Sequence, residues 1–273
     1  MRGLCVLLLF LLTACEQTAP PAAPAEPAAP VLREERLGAM PPDPQLPLLA
    51  AYRRELAEAQ RRDPPILALP GLSGAAARAQ ELVLADRETQ ARARTPEGQP
   101  LRLQVFAVYP LRPTDQGPVQ ERCRGRTCQR VEIYDFARNQ ALVTIVDPEA
   151  GEVLARGLQI DAQPEIPDAM KALAIELAVH APEVAEALGG VPAPHEALMA
   201  STKTALNRTR CERSQHLCVA PTFVTNNVAI WAIVDLTELQ LVGVRWTDLG
   251  QRDDPPPTEM ALQNAVLDRE YCE

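Results

Sequence analysis

The sequence predicts an α+β fold in which a helix covers an antiparallel meander sheet, with that arrangement made twice. Three observations carry the expectation. Amphipathic helical stretches precede runs of alternating or wholly apolar residues. Short turns bearing Asp, Pro or Gly separate those runs. Two stretches roughly ninety residues apart then repeat the same order of features, a period too long for a solenoid but suited to a duplicated small domain.

The chain opens with Arg2 and the apolar run Leu4 to Leu12, followed by Thr13, Ala14 and Cys15. That run is too short to span a bilayer as a helix and ends at small residues. Leu12-Thr13-Ala14-Cys15 resembles the lipobox of bacterial lipoproteins, which implies cleavage after residue 14 and lipid on Cys15. An acylated cysteine gains about 0.8 kcal/mol per buried methylene, so several chains make a lasting anchor. Glu16, rather than Asp, follows the cysteine. The resemblance therefore points to the cell envelope, at the outer membrane facing the periplasm or the cell surface. Residues 15–47 are mostly Pro, Ala and charge and read as a disordered tether. At about 3.1 Å per residue in polyproline form, it would reach roughly 90 Å.

Residues 48–72 hold a helix from Leu48 to Arg62, with Leu49, Tyr52, Leu56 and Ala59 on one stripe, and a connector. Asp63-Pro64-Pro65 stops it. The first repeat, 73–163, opens with Ser73 as a cap and a helix from Gly74 to Arg94, its inner stripe Ala75, Ala79, Leu82 and Val83. Leu101–Tyr109 alternates as a strand. Cys123-x4-Cys128 then leads to Val131–Phe136, Ala141–Val146, a turn at Asp147-Pro-Glu-Ala-Gly151, and Val153–Leu158.

The second repeat, 164–250, has a helix from Asp168 with Met170, Leu173, Ala174, Leu177 and Ala181 inward, restarted by Pro182 towards Leu188. Cys211-x6-Cys218 leads to Thr222–Val224, Val228–Val234, a turn at Asp235-Leu-Thr-Glu238, and Leu239–Trp246. The repeats align on Ile145-Val146-Asp147 with Ile233-Val234-Asp235, and on Glu81-Leu82 with Glu176-Leu177. Val228–Val234 is apolar throughout, so both faces of that strand should be covered, by the other repeat or by a partner. The tail, 251–273, suggests a short helix over Thr258 to Glu270.

The Glu-Leu helix, Cys-loop hairpin and Ile-Val-Asp turn with Gly151-Glu152-Val153 resemble the cystatin-like domains that precede the catalytic domain of copper amine oxidases, and PepSY-type periplasmic modules. That resemblance implies two tandem cystatin-like units over about Ser73 to Gly250. It does not extend to catalysis. The oxidase needs an Asn-Tyr-Asp/Glu tyrosine and a His-x-His pair, whereas Tyr52, Tyr109, Tyr134 and Tyr271 have other neighbours and the three histidines are unpaired.

A formal charge of −9 argues against nucleic-acid partners, which select a basic footprint. Of seven cysteines, Cys123/Cys128 and Cys211/Cys218 form two close pairs suited to hairpin-closing disulfides in an exported chain, and Cys272 is left over. A rival for the second loop is a soft-metal clamp using His216 with Cys211 and Cys218. His180 and Glu176, one turn apart, offer half a metal or acid/base site, or a histidine packed at a helix end before Pro182. Arg122, Arg124, Arg126 and Arg130 crowd the first loop, and Arg208, Arg210 and Arg213 the second. These arginines, with Trp246, are candidate contacts for an acidic partner, the alternative being ordinary solvated charge.

The residues thus predict a non-enzymatic, membrane-anchored binding or scaffolding protein with a protein partner in the envelope. No catalytic residue, metal or cofactor is assigned. The alternatives are a catalytically incomplete relative of copper amine oxidase and a periplasmic metal-handling protein.

Overall fold

Helix α1 (Pro47–Gln60) begins with a proline in its first turn, where the missing N–H removes no helical hydrogen bond. Leu49, Tyr52, Leu56 and Ala59 are all buried, the stripe that the spacing predicts. The structure is a computed structural model. It describes residues 46–112, 119–160, 164–199, 209–212, 215–225 and 227–249, and the backbone of 263–266. Cys15, the signal, the tether up to residue 45, Arg208, Arg213 and Cys272 lie outside the described residues, and Pro47, expected in the tether, opens α1.

The fold is α+β. Strand β1 (Ile66–Leu67) pairs parallel with β2 (Leu103–Pro110), and β3 (Gln129–Asp135), β4 (Gln140–Asp147) and β5 (Glu152–Ile160) extend the sheet in antiparallel order. Between β1 and β2 the expected single helix is two: α2 (Gly74–Ala85) and α3 (Arg87–Arg92). Asp86 breaks them. Its extended backbone ends α2, and its carboxylate accepts the Thr89 N–H at 3.1 Å to cap α3. Ser73 makes no side-chain cap bond; the chain turns there on Gly74 at φ 56, an angle that favours glycine. Ala79 and Val83 are the buried part of the α2 stripe, set against Leu103, Val105, Val131, Ile133, Leu142 and Val146.

Helices α4 (Asp168–Val179) and α5 (Pro182–Leu188) break at Ala181, as α2 and α3 do at Asp86. Strands β6 (Cys218–Val219) and β7 (Thr222–Thr225) both pair with β8 (Val228–Asp235) in one register. They are a single line interrupted at Pro221, which has no N–H to give the ladder. Strand β9 (Gln240–Asp248) follows, and β10 (Gln263–Val266) pairs along its far side. The C-terminal helix expected over Thr258 to Glu270 is therefore replaced at 263–266 by a strand, because β9 offers an edge to pair with.

The hairpins β4–β5 and β8–β9 match in detail. Each has a bulge one residue before its turn, between Ile145 and Val146 and between Ile233 and Val234. Left-handed residues stand at the same places: Asn139 and Asn227 before β4 and β8, Gly151 and Leu239 before β5 and β9.

A larger core joins the halves. Leu49, Tyr52 and Leu56 of α1, Phe106, Tyr134 and Ala141 of the first sheet, Met170, Leu173 and Leu177 of α4, and Ala232, Val234 and Leu241 of the second sheet pack together. Each of the larger of these side chains contributes roughly 2 kcal/mol of burial. Arg102, just before β2, and Gln104 within it are both buried, covered by α1 and by the turn after β8. Arg102 donates to Tyr52 Oη at 2.8 Å and to the carbonyls of Leu236 and Thr237 at 2.9 and 2.7 Å, with its guanidinium 3.6 Å from the Phe136 ring centre. The face is satisfied, not solvated.

Candidate functional site

Both close cysteine pairs are disulfides, Cys123–Cys128 and Cys211–Cys218, with Cα separations of 5.8 and 5.7 Å. Each precedes the strand that pairs with the longest apolar strand of its sheet, so each loop lies over the turn that ends that strand. The aspartate opening the turn is buried in both halves. Asp147 Oδ1 accepts the N–H groups of Glu149 and Ala150 at 3.0 and 3.1 Å. Asp235 Oδ1 accepts those of Thr237 and Glu238 at 2.8 and 3.1 Å.

The second carboxylate oxygen reaches the disulfide loop. Arg126 Nη1 donates to Asp147 Oδ2 at 3.2 Å, and His216 Nδ1 lies 2.7 Å from Asp235 Oδ2. Both residues stand two places before the second cysteine of their loop. The Ala150 and Glu149 amides, together with the Arg126 guanidinium, hold the Asp147 carboxyl below the usual carboxylate range. The Tyr134 hydroxyl is pushed well above its ordinary value, first by burial and then by the charges of Asp135 and Asp235.

Most first-loop arginines are occupied within the molecule. Arg122 donates to Glu152 Oε1 at 2.9 Å and to the Leu154 carbonyl at 2.7 Å; Arg126 also reaches Glu152, and Arg130 pairs with Glu132 at 2.8 Å. Arg124 and Arg210 are exposed and pair with no carboxylate among the described residues. A cavity of about 450 Å³ opens beside Cys123, Cys128, Arg112, Arg124 and Arg126. Trp246 is half-buried on β9, opposite Ile230, and packs on the shared core.

Glu176 on α4 is engaged within the fold. Its Oε1 and Oε2 accept the N–H groups of Leu48 and Leu49 at 2.9 and 2.8 Å, capping α1 from across the core. His180 closes its own helix, with Nδ1 2.9 Å from the Glu176 carbonyl.

Among the described residues, one set brings three metal-ligating atoms within 4.8 Å of one another: Cys211, Cys218 and Asp235. In the disulfide form its sulfurs are bonded to each other and hold no metal. No described helix is long and apolar enough to cross a membrane. No family model matches the chain, and no curated protein matches it.

Proposed function

We propose that this is a lipid-anchored envelope protein of two tandem cystatin-like α+β units that binds a protein partner without transforming it. The outer edge of β5 is the observation that carries the reading. In the second sheet the corresponding edge, β9, takes β10 as an added antiparallel strand. In the first sheet β5 ends the order, and no described strand pairs with its far side. Counted from the shared bulge, Leu158 stands on β5 where Trp246 stands on β9. Leu158 is 42% exposed and Ile160 68%.

An open edge with apolar side chains accepts an extended segment, main-chain bonds giving affinity and alternate side chains selectivity. The first disulfide loop lies against the start of this strand through the Arg122–Leu154 bond, and the same loop carries the exposed Arg124. An extended partner segment carrying apolar and acidic residues fits that combination.

Crosslinking in membranes, followed by affinity purification, tests the reading. Leu158→Lys with Ile160→Lys should abolish recovery of the partner, and Arg124→Glu should reduce it; undiminished recovery from the double variant overturns the proposal. The anchor is tested separately. Cys15→Ser should remove metabolically incorporated fatty acid, and retained label would refute lipidation there.

A further inference from the structure

We infer that Cys211, Cys218 and Asp235 form a latent zinc site that becomes available when the Cys211–Cys218 disulfide is reduced. The inference is independent of the partner reading. All three residues are buried, and their ligand atoms already lie within 4.8 Å of one another. Two thiolates and a carboxylate oxygen are a zinc donor set, too soft for magnesium or calcium, and leave the fourth tetrahedral position to water. His216, bonded to Asp235 Oδ2 and only 13% exposed, orients the carboxylate from behind.

The disulfide is not all that holds these residues together. Leu217, between His216 and Cys218, donates its N–H to Thr237 Oγ1 at 3.1 Å and accepts the Leu236 N–H at 2.8 Å. Cys218 pairs with Asp235 in the ladder between β6 and β8. Thr237 and Glu238 amides fix the other carboxylate oxygen. The frame therefore survives the opening of the sulfur–sulfur bond.

The first loop lacks this capacity. Among the described residues Cys123, Cys128 and Asp147 do not bring their donor atoms within 4.8 Å of one another, and Asp147 is neutralised by the guanidinium of Arg126, a permanent cation that would repel a metal ion.

The redox step needs a dithiol reductant. One of its thiolates attacks a sulfur of the disulfide, the other cysteine leaves as a thiol, and the second reductant thiol resolves the mixed disulfide. Two electrons pass to the cysteine pair and the reductant ends as a disulfide. Zinc then displaces one proton from each of the two thiols.

The test uses the full chain, reduced with a trialkylphosphine and titrated with zinc against a chromophoric chelator. One zinc per reduced chain is expected, and none for the oxidised chain. Zinc should slow alkylation of Cys211 and Cys218 by about tenfold or more while leaving Cys123 and Cys128 unchanged, read by peptide mass spectrometry. Asp235→Asn should weaken binding by about tenfold. Equal protection of both pairs, no protection of either, or zinc bound by the oxidised chain would each overturn the inference. The alkylation footprint needs no variant and so decides the matter even if Asp235→Asn fails to fold.

Discussion

The turns after β4 and β8 share a backbone but not a chemistry. Both open on a buried aspartate that accepts two turn amides, and both close on a left-handed residue. Around Asp147 the loop is open, and Arg126 remains 45% exposed. Around Asp235 the loop is closed: both cysteines are fully buried and His216 nearly so. The same turn backbone can thus carry a partly solvated ion pair at one site and a buried polar cluster at the other. The backbone pattern is what the turn demands; the side chains above it are free to differ.

The sharpest way to break that contrast lies in the helices. Glu176→Ala leaves two α1 amides without partners and should cost about 3 kcal/mol in denaturant unfolding. Its first-half counterpart is exposed, so Glu81→Ala should change stability by less than about 0.5 kcal/mol. Equal costs would mean the two helices are used alike. Next come the turn aspartates. Asp235→Ala should cost about 2 kcal/mol and Asp147→Ala less, since the loop partner of Asp147, Arg126, is far more exposed than His216.

Gly151→Ala should cost about 1 kcal/mol by thermal unfolding, all of it backbone strain, because open space surrounds the added methyl. A Gly151→Leu variant with no further loss would show the second turn to be portable.

The smallest effect is a pH dependence. Burial opposes the charge of Asp86, but Arg156 and Thr89 outweigh it and hold the carboxyl below its ordinary value, as the turn amides do for Asp147. A depressed carboxylate stabilises the fold fully above its unfolded pKa of about 4 and loses that contribution as pH falls through the folded value. Melting temperature should therefore drop below about pH 4, and Asp86→Asn should flatten part of that slope.

The elements legible in the sequence were those with several residues of pattern. The α1 stripe, the α4–α5 break at Pro182 and the two hairpins follow from spacing and turn residues alone. Strands β1 and β6 are two residues long and carry no period to read. The break at Asp86 had a signal, an aspartate three places before Thr89, hidden inside a good helical stretch. The roles of Arg102 and Glu176 were not legible because their partners lie 134 and 127 residues away along the chain. The match of Arg126 with His216 could have been found, since each stands two places before a repeat cysteine. The arginines looked like free charge because Glu152 and Asp147 come near them only through strand pairing.

The hydrogen bonds from Leu48 and Leu49 to Glu176 also set where the molecule bears load. Tension applied at Leu46 would meet its own bond to the Ala50 N–H and then those two bonds within the first turn of α1. They pass it to α4, whose Met170, Leu173 and Leu177 are locked in the core shared by both sheets. A pull at that end would therefore load the core-embedded α4 together with α1.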